Sequence, residues 1–174
     1  MPAARFVEAM NAQIGYEFAA HNQYLACAIH YDAVTMPRMA AFFYAQALEE
    51  REHAMMMVQY LLDTDAPVVI PGVEEPTTTF ADVVAPVALA LEQEQRVTEQ
   101  INGLLRIARE ESDFASEQFL QWFIKEQVEE VATMSALLAI VSRNKDDLED
   151  IEEYVARESR GEGTDPTAPR IAGA

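Results

Sequence analysis

The sequence predicts an all-α fold, a four-helix bundle with a long crossover between helices two and three and a short fifth helix near the C-terminus. Three observations predict it. Apolar residues recur at three- and four-residue spacing over four long stretches, a proline-containing segment divides these stretches into two pairs, and both pairs carry the same polar pattern. With 174 residues, 50% of them hydrophobic, the chain can bury the core of one domain.

The four long stretches predict helices over residues 5–32, 37–63, 82–110 and 113–143. Pro37 suits the first turn of a helix, and Asp82 and Asp113 are suited to be the N-caps of the third and fourth helices. Because few residues separate the helices within each pair, each pair is an antiparallel hairpin.

The connection between the two hairpins is much longer than a turn. It spans residues 64–79 and contains Pro67, Pro71, Gly72 and Pro76. A segment of this length can run along the whole bundle, so it predicts that helices two and three are parallel.

The C-terminal part of the chain changes in character. An amphipathic stretch at about 145–157, with Leu148, Ile151 and Val155 in register, predicts the fifth helix and completes a bundle domain over residues 1–160. Residues 161–174 are rich in proline and glycine, which predicts a flexible tail.

The charge of the chain excludes some partners and favours others. It has 30 acidic and 12 basic residues and a formal net charge of −18, which repels nucleic acid and anionic membranes and attracts multivalent cations. The single cysteine, Cys27, excludes an intrachain disulfide and favours a reducing compartment. We see neither an export signal nor a segment long enough to span a membrane, so we expect a cytoplasmic protein.

The most specific feature is a repeat of polar residues at a constant offset of 77 positions. The repeat suggests two hairpins related by an approximate two-fold axis, each contributing one residue from its first helix and an i, i+3 pair from its second. The first set is Glu17, Glu50 and His53, and the second set is Glu94, Gln127 and Glu130.

These residues interrupt the apolar stripes of the four helices, so we expect them to be buried. Buried carboxylates cost several kcal/mol each unless something neutralises them, and a pair of cations does so. Carboxylates with one imidazole suit iron or manganese. We assign Glu17 and His53 to one metal, Glu50 to a bridging position, and Glu94 with Glu130 to the second metal.

Other polar residues near this predicted centre have two interpretations each. Gln127 is either a weak metal ligand or a hydrogen-bond donor within the site. Tyr24 either donates a hydrogen bond or an electron to the site, or is a buried phenol of the core. Four acids have two interpretations as well. They form a third cation site, or they are exposed acids that pair with basic side chains. These acids are Glu49, Glu126, Glu129 and Glu130.

With these residues the sequence resembles the non-haem bacterial ferritins. The resemblance extends over nearly the whole chain and includes strings such as Phe119-Leu120-Gln121-Trp122 and Glu126-Gln127-Val128-Glu129-Glu130. The resemblance implies a 24-subunit shell that oxidises iron(II) with dioxygen or hydrogen peroxide and stores iron(III) as a mineral. It further implies that both repeated sets form the ferroxidase centre. The positions that it implies for a third iron site are Glu49, Glu126, Glu129 and Glu130.

The chain departs from the haem-containing bacterioferritins, which resemble it but carry Glu-x-x-His in the fourth helix and methionine after the second-helix glutamate. Here these positions are Gln127-x-x-Glu130 and Arg51, so we expect no haem. Two other functions fit a bundle of this composition. One is a di-metal peroxidase or oxidase that uses iron or manganese without storing it, and the other is a metal-free acidic scaffold.

Overall fold

The structure is a computed structural model that describes residues 2–158 and 165–174. Within these residues it contains five α-helices and no strands, which confirms the predicted all-α fold. The helices are α1 Ala4–Ala33, α2 Pro37–Asp63, α3 Ala85–Glu110, α4 Phe114–Arg143 and α5 Leu148–Glu158. In the part of the chain that is described, no helix combines the length and the apolar character needed to cross a membrane.

Two of the predicted helix starts are confirmed. Pro37 is the first residue of α2, where its missing N–H removes no helical hydrogen bond. Asp113 is the N-cap of α4, and its carboxylate accepts a hydrogen bond from the backbone N–H of Ser116 at 3.1 Å. Both helices therefore begin at residues that suit the unpaired backbone N–H groups of a first helical turn.

The predicted N-cap of the third helix was wrong, because α3 begins at Ala85 with Val84 as its N-cap. Pro86 fits only the first turn of a helix, so it sets this start. The Asp82 carboxylate instead accepts hydrogen bonds from the backbone N–H groups of residues 84 and 85, both at 2.9 Å, and so holds the turn that precedes the helix.

The crossover, residues 64–84, lies alongside α1. The Asn11 side chain accepts a hydrogen bond from the Val69 backbone N–H at 2.6 Å. Further along α1, the Gln23 side chain exchanges two hydrogen bonds with the Thr77 backbone, both at 2.9 Å. The crossover therefore runs in the same direction as α1, and it makes α2 and α3 parallel as predicted.

The crossover approaches α1 most closely at Gly15. A Cβ atom added at Gly15 would lie 2.6 Å from Cγ of Pro71, which is too short for a van der Waals contact. The absence of a side chain at this position lets the proline ring pack against the helix backbone.

α5 packs across one end of the bundle. Ile151 and Val155 are buried against the core, and the Glu152 carboxylate accepts hydrogen bonds from the backbone N–H groups of Arg38 and Met39, both at 2.9 Å. Since these N–H groups belong to the first turn of α2, the fifth helix provides the side-chain acceptor that this helix start otherwise lacks.

Residues 165–174, which belong to the predicted flexible tail, contact the bundle. The Asp165 carboxylate accepts a hydrogen bond from the indole N–H of Trp122 at 3.1 Å, and Ile171 packs against the apolar core. These contacts order a segment whose sequence shows no helical pattern. The predicted boundary after residue 160 lies outside the described residues.

The apolar core has two parts, one toward each end of the bundle. The first contains Phe6, Met10, Ile14, Met57, Leu61, Ile101, Leu120 and Phe123 among its buried residues. The second contains Tyr24, Tyr31, Met36, Met39, Phe43, Val87, Met134 and Leu137. Along each of the four long helices, the residues between these two parts are the polar ones of the repeat.

Candidate metal centre

The middle turns of the four long helices bring the six repeated residues into one layer between the two parts of the core. Each is buried, with at most 6% of its surface exposed. α1 contributes Glu17, α2 contributes Glu50 and His53, α3 contributes Glu94, and α4 contributes Gln127 and Glu130. The residues of the 77-position repeat therefore lie at matching heights in the bundle.

Three of these residues form a compact group of possible ligands. One donor atom each of Glu17, Glu50 and His53 lies within 4.8 Å of the other two. Gln13 donates a hydrogen bond to Oε1 of Glu17 at 2.8 Å. Oε2 of Glu17 and Oε1 of Glu50 accept no hydrogen bond from residues that the structure describes, so both have lone pairs available for a cation.

The second half of the centre is built around Glu94. The Tyr24 hydroxyl donates to its Oε1, and the Gln127 amide donates to its Oε2 at 3.3 Å. The Thr98 hydroxyl in turn donates to the amide oxygen of Gln127 at 3.1 Å. Of the two interpretations of Gln127, this geometry supports the hydrogen-bond donor. It likewise supports a hydrogen-bonding role for Tyr24.

Glu130 lies where the centre meets two further acids. Oε2 of Glu130 has no hydrogen-bond partner among the described residues. Burial raises the pKa of Glu130 well above its usual value, and the negative charges of Glu94, Glu49 and Glu126 raise it further. The side chain of Gln46 donates to both Glu49 and Glu130. Glu49 and Glu126 therefore add negative charge on the Glu130 side of the centre.

Glu129 has different surroundings. Its side chain is 57% exposed, and its carboxylate lies 3.6 Å from the ammonium group of Lys125 one turn earlier on α4. Among the four residues of the predicted third site, Glu129 thus matches the alternative of an exposed acid paired with a lysine.

The buried carboxylates of the centre hold protons more tightly than exposed ones. Burial raises the pKa of Glu17, and it raises the pKa of Glu94 to about 7. The pKa of Glu50 lies well above its usual value because of burial and of the negative charges of Glu94 and Glu17. No lysine or arginine is buried in the described parts of the chain, so protons or bound cations must neutralise this layer.

His53 has the opposite shift. Burial disfavours the imidazolium form and lowers the pKa of His53 to about 4. At neutral pH the ring is uncharged and has a lone pair for a metal ion. The rings of Trp122 and Phe123 pack at steep angles to the imidazole, with centroid distances of 5.6 and 5.8 Å, and fix its orientation.

Three residues that orient the centre were not predicted from the sequence, namely Gln13, Gln46 and Thr98. A signal was available for each. Gln13 lies four residues before Glu17, Gln46 three residues before Glu49, and Thr98 four residues after Glu94, and each bonds the residue at that spacing. Side chains three or four residues apart share a helix face, so a polar residue one turn from a buried carboxylate is a natural hydrogen-bond partner.

Comparisons with known proteins agree with this geometry. A family model for the ferritin-like domain matches residues 7–144. The chain is 52% identical over 169 residues to the ferritin BfrB of Mycolicibacterium smegmatis, covering 97% of this chain and 93% of the relative. It is 35% identical over 147 residues to the bacterial non-heme ferritin of Staphylococcus aureus, covering 84% and 89%.

A solved structure supports the same relationship. The open-pore ferritin from the hyperthermophilic archaeon Archaeoglobus fulgidus superposes with a TM-score of 0.86 at 29% sequence identity. The match covers 92% of this chain and 99% of that one.

Proposed function

The chain belongs to the ferritin family of iron-storage proteins, and from this premise we propose that it oxidises iron(II) at the centre between its four helices and stores the iron(III) as a mineral inside a 24-subunit cage. One observation carries this proposal. Four carboxylates and a neutral histidine share a buried layer in which three carboxylate oxygens have no hydrogen-bond partner among the described residues. Such a donor set fits iron.

Iron(II) is the substrate of this reaction, and two ions occupy the centre. Glu17 and His53 bind one ion, Glu94 and Glu130 bind the other, and Glu50 lies between them. Each ion transfers one electron to dioxygen or hydrogen peroxide. Because a carboxylate must lose its proton before it binds a cation, the centre releases protons as it fills.

A third site next to the centre gives the oxidised iron a route toward the mineral. Glu49 and Glu126 join Glu130 there, with the Gln46 amide holding two of these carboxylates. Glu129 joins this site only if its carboxylate leaves Lys125. The shared residue, Glu130, connects the third site to the oxidation centre.

The remaining expectations follow from the same residues. A single, fully buried cysteine suits a reducing cytoplasm. The acidic surface suits storage of cations and leaves no role for nucleic acid or membrane partners. Arg51 and Gln127 occupy positions at which the haem-containing bacterioferritins carry other residues. The proposed function therefore needs no haem.

The experiment adds iron(II) anaerobically in steps to purified apoprotein, admits air, and records the iron retained per subunit after size-exclusion chromatography. Glu94→Ala and Glu130→Ala test the centre. Glu92→Ala is the matched control, because Glu92 lies on the same helix as Glu94 with its side chain 67% exposed and paired with Arg96.

We expect rapid oxidation and many irons per subunit in a very large particle, unchanged in the control. Both centre variants should be slowed at least about tenfold, because loss of a group that only orients a metal ligand already costs about 10–100-fold. Retention of only two or three irons per subunit would instead identify a di-metal enzyme without storage. If no iron is retained, the metal-binding proposal itself fails.

A further inference from the structure

The four acids predicted for the third site differ in their exposure. Glu130 is 6% exposed, and Glu49 and Glu126 are partly buried. The side chain of Glu129 is 57% exposed, and its carboxylate lies 3.6 Å from the ammonium group of Lys125. Three of the acids are therefore withdrawn from solvent, whereas the fourth faces it and already has a cationic partner.

The buried side chain of Gln46 contacts two of these acids. It is 7% exposed, and its Nε2 donates to the carboxylate of Glu49. The Gln46 side chain is also hydrogen-bonded to Glu130, and this bond comes from Nε2 as well, because Oε1 has no partner among the described residues. Such hydrogen bonds are about 3 Å long, so the two accepting oxygens lie within about 6 Å of each other. One amide group thus brings Glu49 and Glu130 together.

The position of Gln46 on α2 places it at the boundary between the two proposed sites. It precedes Glu49 by three residues and Glu50 by four, so all three share one face of the helix. Glu50 belongs to the oxidation centre and Glu49 to the third site. No lysine or arginine is buried in the parts of the chain that the structure describes, so the N–H groups of Gln46, rather than a cationic side chain, hold these like charges side by side.

Two oxygens at this boundary lack a partner. Oε2 of Glu130 and Oε1 of Gln46 are both buried, and neither accepts a hydrogen bond from any residue that the structure describes. Buried oxygens of this kind are costly unless a donor or a cation satisfies them. Carboxylate and amide oxygens are both ligands for hard cations. A cation next to Glu130 therefore fits a site to which the Gln46 oxygen also contributes.

We propose that Gln46, and not Glu129, completes the third site, an inference that rests on the proposed function. The residues of the site are then Gln46, Glu49, Glu126 and Glu130. In the empty site, the N–H groups of Gln46 hold the Glu49 carboxylate next to Glu130. When iron leaves the oxidation centre on Glu130, Glu49 is already within reach and the amide oxygen is a neutral ligand. Glu129 stays in its surface ion pair.

The test counts the iron(II) ions that each subunit of the assembled protein binds tightly under anaerobic conditions, by isothermal titration calorimetry. Gln46→Met keeps the length of the side chain and removes the amide. Glu129→Gln removes the charge of the acid that lies outside the proposed site. Gln59→Met is the matched control, because Gln59 lies on the same helix and donates to the carboxylate of Asp63 at 2.7 Å on the surface.

Stopped-flow absorbance in air then follows two successive additions of two iron(II) ions per subunit. The rate of the first addition reports on the oxidation centre, and the rate of the second reports on how fast iron has left that centre.

We expect the wild type, Glu129→Gln and Gln59→Met to bind three ions per subunit. Gln46→Met should bind the first two ions nearly as tightly as the wild type and the third at least about tenfold more weakly, within the range found for groups that orient a metal ligand. It should also oxidise the first addition at the wild-type rate and the second addition more slowly.

Loss of the third ion in Glu129→Gln but not in Gln46→Met would show that Glu129 completes the site. Equal weakening of all three ions in Gln46→Met would show that Gln46 only supports the bundle. Either result overturns the role of Gln46 and leaves the proposed function intact, as does a wild type that binds only two ions. If the wild type binds no iron, both the role of Gln46 and the proposed function fail.

Discussion

At the scale of single residues, the centre combines groups whose protonation states respond oppositely to burial. Burial keeps protons on carboxylates such as Glu94 and removes the proton from His53. Both shifts reduce the net charge of the layer in the absence of metal. A cation then replaces carboxylate protons, while the neutral imidazole is already a ligand.

The first prediction concerns the stability of the apoprotein. Glu94→Gln replaces a buried acid by a neutral side chain that still accepts the hydrogen bond of Tyr24. The pKa of Glu94 is about 7 in the folded state, because of burial, against an ordinary value of 4.5. Wild-type stability is therefore lost as the pH rises through this window, whereas the variant has no such loss. We expect the variant to be more stable by about 1–3 kcal/mol near pH 8 and by little near pH 5.

The measurement is urea unfolding of metal-free protein at both pH values. Glu99→Gln is the control, because Glu99 is an exposed residue of the same helix. The same Glu94→Gln variant should lose most iron oxidation. Equal stability of wild type and variant near pH 8 would show that Glu94 bears no desolvation cost in the folded state.

The sequence predicted which polar residues would lie in one buried layer, because a repeat at constant offset is visible without a structure. The surroundings of each residue were harder to predict. Helical periodicity assigns a side chain to a face, but it does not reveal that Lys125 pairs with Glu129 or that Thr98 reaches Gln127. These contacts depend on side-chain direction and on the neighbouring helix.

At the scale of helices and connections, the two halves of the bundle are joined by a crossover that lies against α1. Gly15 sets the distance between the crossover and α1, because a side chain at this position would overlap the ring of Pro71. Gly103 on α3 is a useful contrast, since an added Cβ atom there has 3.8 Å to its nearest neighbour, the terminal guanidinium nitrogen Nη2 of Arg106.

The second prediction uses this pair of glycines. Gly103→Ala should stabilise the protein by about 0.5–1 kcal/mol, because alanine loses less backbone entropy in a helix than glycine. Gly15→Ala should destabilise it by about 1–3 kcal/mol, because the proline ring must move away from the helix. Unfolding in urea measures both. If Gly15→Ala stabilised the protein, the crossover would be able to move away from α1 at no cost in free energy. The contact of Pro71 with Gly15 would then not hold the two hairpins together.

Helices were predicted to within a few residues because their apolar periodicity and proline positions are local signals. One difference has a local cause and the other a nonlocal one. Asp82 is a residue type that is common at helix N-caps, but Pro86 sets a later start for α3. Residues 165–174 have the composition of a flexible segment, yet they contact the bundle through several hydrogen bonds, including that from Trp122 to Asp165, and through the partly buried Ile171.

At the scale of the whole molecule, the formal charge of −18 and the buried acidic layer act together. The surface charge raises the local concentration of iron(II), and its effect weakens as salt screens it. The buried layer then exchanges protons for iron. Iron uptake should therefore be coupled to proton release.

The third prediction measures this coupling in the assembled protein. Under anaerobic conditions, saturating iron(II) should release more protons per subunit near pH 6 than near pH 8, as recorded with a pH-stat. Near pH 6 the carboxyl group of Glu94, with a pKa of about 7, still holds its proton, and the raised pKa values of Glu50 and Glu130 act in the same direction. His53, with a pKa of about 4, contributes no proton at either value.

The same linkage predicts that the affinity for iron(II) falls as the pH falls, since protons and iron compete for the carboxylates. Glu94→Gln provides the internal comparison, because it should reduce the release near pH 6 by about one proton per subunit and alter the release near pH 8 much less. Equal proton release at the two pH values in the wild type would contradict the protonated apo state. It would indicate that the carboxylates are already ionised before iron arrives.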